Sequence, residues 1–250
     1  MKHYCAAPFT HISIDPRGVL LPCCRYQTPL SNLDDERIDE GWNNQNFQDL
    51  RTQFLNDEKP AACSDCWTAE ESGNESLRSV INGWAKDKKF NSPIVEDNPI
   101  YFEFKTTNVC NLKCRMCGSF NSSQIAKETE TIEVRKHFLK HKIIDTHHEP
   151  IVNEWLNGAK YILFAGGEPL ITDEHYTLIE HMIETGNTDI ELRYNTNISN
   201  FKYKKKDIFK LWKNFSKPIS IYASIDHLGN RAEYIRHGTK WDVIESNIKK

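Results

Sequence analysis

Apolar and polar positions give the chain two textures. From residue 100 onward, short apolar runs alternate with amphipathic stretches. "YFEFKT" (101–106) predicts a strand, and helical spacing follows at roughly 121–140. "KYILFAG" (160–166) reads as a buried strand with a helix near 172–185. "DIELRYN" (189–195) is a third strand with a helix near 204–214, and "PISIYASID" (218–226) is a fourth. A last amphipathic helix near 240–250 gathers Trp241, Ile244 and Ile248 on one face. Strands alternating with helices predict parallel βα units. Four units do not readily close a barrel. The expected fold class is therefore α/β, with a partial (β/α)-type parallel barrel, cut short, or an open sheet.

Before residue 86 the pattern is loop-rich. "HISIDPRGVLLPCC" alternates as a β-hairpin: Ile12 and Ile14, a turn at Asp15-Pro16-Arg17-Gly18, then Val19 and Leu21. "NFQDLRTQFLN" has helical spacing at Phe47, Leu50, Phe54 and Leu55. "KDKKFNSPIVEDNP" (86–99) is polar, charged and holds two prolines, so it reads as a linker. The expected division is a small cysteine module over 1–85, the linker over 86–99, and a core over 100–250 that lacks its C-terminal part.

Composition narrows the function. With 250 residues, 38% hydrophobic and 27% charged, the chain can bury a core. Its net charge of −3 gives no basic footprint for nucleic acid. No apolar run approaches the ~20 residues of a membrane span. "MKHYCAAPFTHISID" has no apolar signal-peptide region. A reducing cytoplasmic compartment is expected, which disfavours structural disulfides. The eight cysteines then need another role. Cys5, Cys23, Cys24, Cys63 and Cys66 form one group and Cys110, Cys114 and Cys117 a second, suggesting two metal sites.

"NVCNLKCRMCGSF" (108–120) places the second group at C-x-x-x-C-x-x-C directly after the first strand of the core. Thiolates hold iron–sulfur clusters, and three of them leave one iron of a cubane without a protein ligand. An open metal position marks a reactive site. Three cysteines and a histidine would suit zinc, but the nearest downstream histidines, His137 and His141, lie across a predicted helix. "FAGGEP" follows the second strand with Gly166-Gly167-Glu168-Pro169. Over about 100–250 these features resemble the radical S-adenosylmethionine (radical SAM) superfamily, whose G-G-E-P motif meets the methionine amino group of the cofactor.

The resemblance implies a three-cysteine 4Fe–4S cluster, chelation of its open iron by S-adenosylmethionine, and reductive cleavage to a 5′-deoxyadenosyl radical that removes a hydrogen atom from substrate. Gly166 and Gly167 allow close backbone approach, and Glu168 offers an acceptor to an ammonium group. Met116 stands where the family usually has an aromatic, and its sulfur can pack on the adenine. Asn195 and Asn197 after strand three, and Ser224 and Asp226 after strand four, lie at the strand ends where α/β proteins hold ligands; the asparagines can equally cap a helix. Arg236 is either a partner for the cofactor carboxylate or a surface arginine. An external one-electron reductant such as flavodoxin or ferredoxin is implied.

In the first group, "C…PF…I.ID.RG.LLPCC", "LSNL" and "LR…C..CW..E" over about 3–71 resemble the SPASM or twitch auxiliary-cluster module, here placed before the core. The implied ligands of a second 4Fe–4S cluster are Cys5, Cys63, Cys66 and either Cys23 or Cys24, with Cys23 preferred because adjacent side chains diverge in an extended strand. A zinc knot on the same thiolates is the alternative. "KYKKK" (202–206) reads as a solvated face and "HKIIDTHHEP" (141–150) as a surface loop. Three readings stand: a radical SAM enzyme acting on a peptide or protein, one acting on a small molecule, or a non-enzymatic iron–sulfur or zinc protein serving as electron carrier or scaffold.

Overall fold

In the computed structural model of the chain, residues 2–105, 107–138 and 149–250 are described. His141, His147, His148, Thr106 and the last two residues of the helix predicted to 140 lie outside them. The strands are β1 (His11–Ile14), β2 (Val19–Leu21), β3 (Ser31–Asn32), β4 (Tyr101–Phe104), β5 (Lys113–Cys114), β6 (Tyr161–Phe164), β7 (Glu191–Thr196), β8 (Lys202–Tyr203), β9 (Lys206–Asp207), β10 (Ile219–Ala223) and β11 (Arg236–His237). The helices are α1 (Ala7–Thr10), α2 (Ile38–Trp42), α3 (Gln45–Leu55), α4 (Ser64–Glu71), α5 (Leu77–Trp84), α6 (Ser123–Thr129), α7 (Ile132–His137), α8 (Glu149–Leu156), α9 (Asp173–Glu184), α10 (Ile208–Trp212), α11 (Gly229–Ile235) and α12 (Trp241–Ile248).

Among the described residues one seven-stranded sheet runs in the order β10-β7-β6-β4-β1-β2-β3. Its first five strands pair in parallel, and β2 and β3 add antiparallel. The fold is α/β, as the alternation predicts. The sheet is open rather than a closed barrel, with β10 and β3 at its edges. The hairpin of the cysteine-rich N-terminal segment is part of this same sheet, because β1 pairs with β4 from His11↔Tyr101 to Ile14↔Phe104.

The sheet has two unlike faces. Ile12, Ile14, Phe102, Phe104, Ile162, Phe164, Leu192 and Tyr194 form the apolar one, all nearly fully buried. There the Tyr194 hydroxyl bonds His175 of α9 and accepts from the Trp212 indole of α10. The alternate positions form a polar inner face: Ser13, Glu103, Leu163, Arg193 and Ser220 lie in one register row. One end of that face is closed by aromatic rings. His11 stacks on Tyr101 at 4.2 Å, Trp84 covers Tyr101 and Tyr161, and the Arg193 guanidinium lies over all but His11.

Local chemistry explains where predicted and observed elements differ. The helix expected over 121–140 is broken into α6 and α7, each restarted by its own cap: Ser122 accepts from Ile125 N–H and Thr131 from Val134 N–H. The helix expected from 204 starts at Ile208, because 202–207 forms the small β8–β9 hairpin with Lys204 at φ 52°. Asp207 then caps α10. Among the described residues no helix is long and apolar enough to cross a membrane.

The segment 86–99 is strapped down by Arg51. This side chain is fully buried, and its guanidinium donates to the carbonyls of Pro8, Trp42 and Pro93 and to Asn43 Oδ1. Asn43 also exchanges hydrogen bonds with the backbone of Val95. Burial lowers the Arg51 pKa to about 9. Arg51→Met orphans four acceptors at once. It is expected to lower the unfolding free energy by about 3 kcal/mol or more, read as a shift in the urea midpoint; an unchanged midpoint would refute this account of the strap.

Candidate metal centre

The three-cysteine loop leaves the C-terminal end of β4 and is clamped by the turn that follows β6. Gly167 N–H donates to Thr107 O at 3.2 Å and Glu168 N–H to Val109 O at 2.7 Å. Two glycines are required here. Gly166 has φ +104°, and a Cβ on Gly167 would lie 2.1 Å from the Val109 carbonyl oxygen. The motif's glycines thus admit the cysteine loop itself.

Glu168 is 1% exposed. Its Oε1 accepts from Leu170 N–H (3.1 Å) and the Thr196 hydroxyl (2.6 Å), and its Oε2 from Asn197 N–H (2.7 Å). Burial pushes its carboxyl up to about 6, with these three donors opposing the rise. The side chain that the sequence reading offers to a ligand ammonium also joins the turn to the end of β7. Pro169 is buried at the start of a short 3₁₀ turn. Asn197 continues the link by donating to Asn111 Oδ1 at 3.0 Å, and Asn111 donates to Ser199.

Cys110, Leu112 and Cys114 pack as a small buried cluster, with Cys117 against it. Burial pushes the Cys110 thiol up to about 12, and Glu168 and the other two thiols push the same way. Cys114 is raised by burial and pulled back by Arg236. The β5–β11 pairing sets Arg236 opposite Cys114. Arg236 Nη1 reaches Cys114 Sγ at 3.7 Å and Nε donates to Asp226 at 2.5 Å. Two separately predicted residues, Asp226 and Arg236, therefore meet at one cysteine. Ser224 N–H bonds the Thr196 carbonyl at 2.8 Å beyond β10. Asn195 is exposed on the inner face, and Met116 is 58% exposed.

Several supporting residues escaped the sequence reading. Ser123 Oγ accepts from Cys110 N–H, the buried Ser122 hydroxyl donates to Leu112 O, and Asn108 donates to Ser119 O. The serine pair in "FNSSQ" was a legible cap signal; its grip on the loop was not.

In the N-terminal segment Cys5, Cys23, Cys63 and Cys66 line one small cavity, together with Tyr26, Phe54 and Arg78. Burial raises Cys5 and Cys63 to about 12 and Cys23 well above its ordinary value, and neighbouring thiols add to each rise. Cys24 does not line this cavity; its thiol lies near Glu103 and Lys105. Among the described residues, no three histidine, cysteine or acidic side chains are gathered closely enough to hold a single metal ion.

Residues 5–67 match the family described as SPASM, an iron–sulfur cluster-binding domain. The match begins at Cys5, encloses all five N-terminal cysteines, and supports iron–sulfur binding by this segment. No curated protein and no solved structure matches the chain.

Glu168→Ala strands the Thr196 hydroxyl and two buried N–H groups. It is expected to cost about 1–3 kcal/mol or more. Gly167→Ala is expected to be more damaging, because two backbones collide. Thermal unfolding of both variants checks this, and a Gly167→Ala variant as stable as wild type would contradict the clamp.

Proposed function

We propose that the chain is a radical SAM enzyme carrying an auxiliary iron–sulfur cluster in its N-terminal segment. The observation that supports this most is the three-thiol loop at the C-terminal end of β4, locked to the Gly166-Gly167-Glu168 turn. The donor set fits a cluster: Cys117 packs against the buried Cys110 and Cys114, and burial pushes the Cys110 thiol up to about 12, a cost that binding of its thiolate to cationic iron would offset. Three ligands leave one metal position for a small molecule, which an electron carrier does not need. The SPASM match is the second support, since that domain is typical of radical SAM enzymes.

On this reading Cys110, Cys114 and Cys117 hold the catalytic cluster, and Cys5, Cys23, Cys63 and Cys66 hold the auxiliary one. Bound cluster and S-adenosylmethionine together supply one-electron cleavage of the cofactor's carbon–sulfur bond and a 5′-deoxyadenosyl radical. The chain's own part is positioning. Glu168 and Gly167 fix the loop, Arg236 holds a positive charge against Cys114, and the exposed Asn195 and Met116 flank the mouth where cofactor binds. The polar inner face receives the substrate, and the aromatic tier closes its far end. A peptide or protein is the leading substrate class, and a low-potential one-electron carrier is the reductant.

Anaerobic reconstitution is expected to give about eight irons per chain, and about four in a Cys110/Cys114/Cys117→Ala variant. Wild type is expected to convert S-adenosylmethionine to 5′-deoxyadenosine under a strong reductant, and the variant to make none. Iron binding without 5′-deoxyadenosine would favour an electron carrier, and zinc in place of iron at both groups would end the radical reading.

A further inference from the structure

A groove of about 280 Å³ lies between α6 and α7, against the three-cysteine loop. Two of its lining residues, Asn108 and Ser123, hold that loop. Asn108 donates to Ser119 O at 2.7 Å. Ser123 Oγ accepts from Cys110 N–H at 3.2 Å and donates to Cys110 O at 3.3 Å. One side chain therefore separates the groove from the backbone of Cys110. The rest of the lining is of two kinds. Buried Ala126 and Ile132, which is 55% exposed, are apolar, and Lys127, Arg135 and Lys136 are cationic. No carboxylate lines the groove, and Glu128 of α6 is turned to Lys113 at 2.6 Å. None of the three cations has an acidic partner among the described residues. In a chain of net charge −3, this is a local excess of positive charge. Unpaired cations around an exposed isoleucine steer an acidic protein in by charge and offer it an apolar centre.

We propose that the α6–α7 groove is where an acidic, low-potential one-electron carrier docks to reduce the centre held by Cys110, Cys114 and Cys117. This rests on the radical reading above. Electron tunnelling weakens steeply with distance, and covalent and hydrogen-bonded links carry it better than gaps. From the groove the route is the Ser123 side chain, its hydrogen bonds to the Cys110 backbone, and the Cys110 thiolate. In the step the carrier is oxidised by one electron and the centre is reduced by one; no bond forms or breaks. Asn195 and Met116, at the cofactor's mouth, do not line the groove, so a carrier seated there leaves the cofactor in place. The surface is small, as brief electron-transfer encounters require, since these bury less than ~1,200 Å² in total. The N-terminal thiol cavity is a poorer entry for an acidic carrier. Its two cations, Arg25 and Arg78, are already paired with Asp65 and Glu70.

The test uses the cluster-loaded full chain and an acidic flavodoxin as the probe. Binding of oxidised flavodoxin is measured by calorimetry, and 5′-deoxyadenosine is measured with flavodoxin hydroquinone or with titanium(III) citrate, a small reductant that needs no docking site. Wild type is expected to bind flavodoxin, several-fold more weakly when salt rises from about 50 to about 300 mM. Lys127 and Lys136 are both exposed, so their reversal leaves the fold intact. A Lys127→Glu/Lys136→Glu variant is expected to bind flavodoxin about tenfold more weakly or worse. Its flavodoxin-driven rate is expected to fall in step, while its iron content and titanium-driven rate match wild type. A Lys205→Glu/Lys210→Glu variant, reversed at two exposed lysines outside the groove, is expected to behave as wild type. Unchanged flavodoxin binding and rate in the groove variant overturn the proposal alone, as does an equal loss in both variants. An RNA oligonucleotide that binds wild type more tightly than flavodoxin does, and is lost in the groove variant, also overturns it. Absence of 5′-deoxyadenosine from wild type under titanium(III) citrate removes the radical reading and the proposal together.

Discussion

The parallel pairing of His11–Ile14 with Tyr101–Phe104 is the contact on which the rest of the molecule depends. It joins strands almost ninety residues apart in the chain. Without it β4 would be an edge, with unpaired backbone on one side and its apolar side chains half uncovered. With it, the N-terminal hairpin extends the sheet, and the four thiols around one cavity are held at a fixed distance from the three on the loop after β4. The intervening chain is drawn in as well. Ile100 N–H bonds the Thr10 carbonyl just before β4 begins, and Arg51 gathers Pro8, Trp42 and Pro93 around one guanidinium.

The two faces of this sheet divide the work. The apolar face is buried under helices and supplies most of the core. The inner face carries groups that a core does not use: a Glu103–Lys105 pair, an unpartnered Ser13 hydroxyl, Arg193 and an exposed Asn195. Toward its aromatic end, burial holds His11 neutral, with a pKa down to about 3, and its Nδ1 lies 3.0 Å from the Thr10 hydroxyl. Thr10 spends its own proton on the Ala6 carbonyl, so His11 Nδ1 carries the hydrogen and donates. That end is a packed floor. The opposite end, where the loops after β4, β6, β7 and β10 gather, is where ligands of parallel sheets collect.

Much of this was legible in the sequence, and the reasons are specific. Strands such as "YILF" and "ELRY" announce themselves because one whole face of each is buried, so their pattern survives any partner. The cysteine groups were legible because spacing carries the chemistry. Pairing between distant strands was not. Nothing in "HISI" says that its partner is "YFEF", and nothing in 86–99, which reads as a linker, says that Arg51 and Asn43 hold its backbone at Pro93 and Val95. Glu168 was found, but its link to the end of β7 was not, because a motif names a residue without showing where its oxygens point. The Arg236–Cys114 approach depends on the two-residue β5–β11 pairing, too short to leave a periodic signal.

A single hydrophobic core connects residues from Cys5 to Ile244. The three-cysteine loop is a separate small cluster, tied to that core through β4 and the turn after β6, and the thermodynamic consequence is that both cysteine groups depend on the same sheet. An ion or cluster that binds only the folded chain at either group draws the whole sheet toward the folded state. The other group is thereby better populated in its binding geometry, and the effect runs equally in both directions. If both groups bind such centres, the first one acquired preorganises the second across β1 and β4.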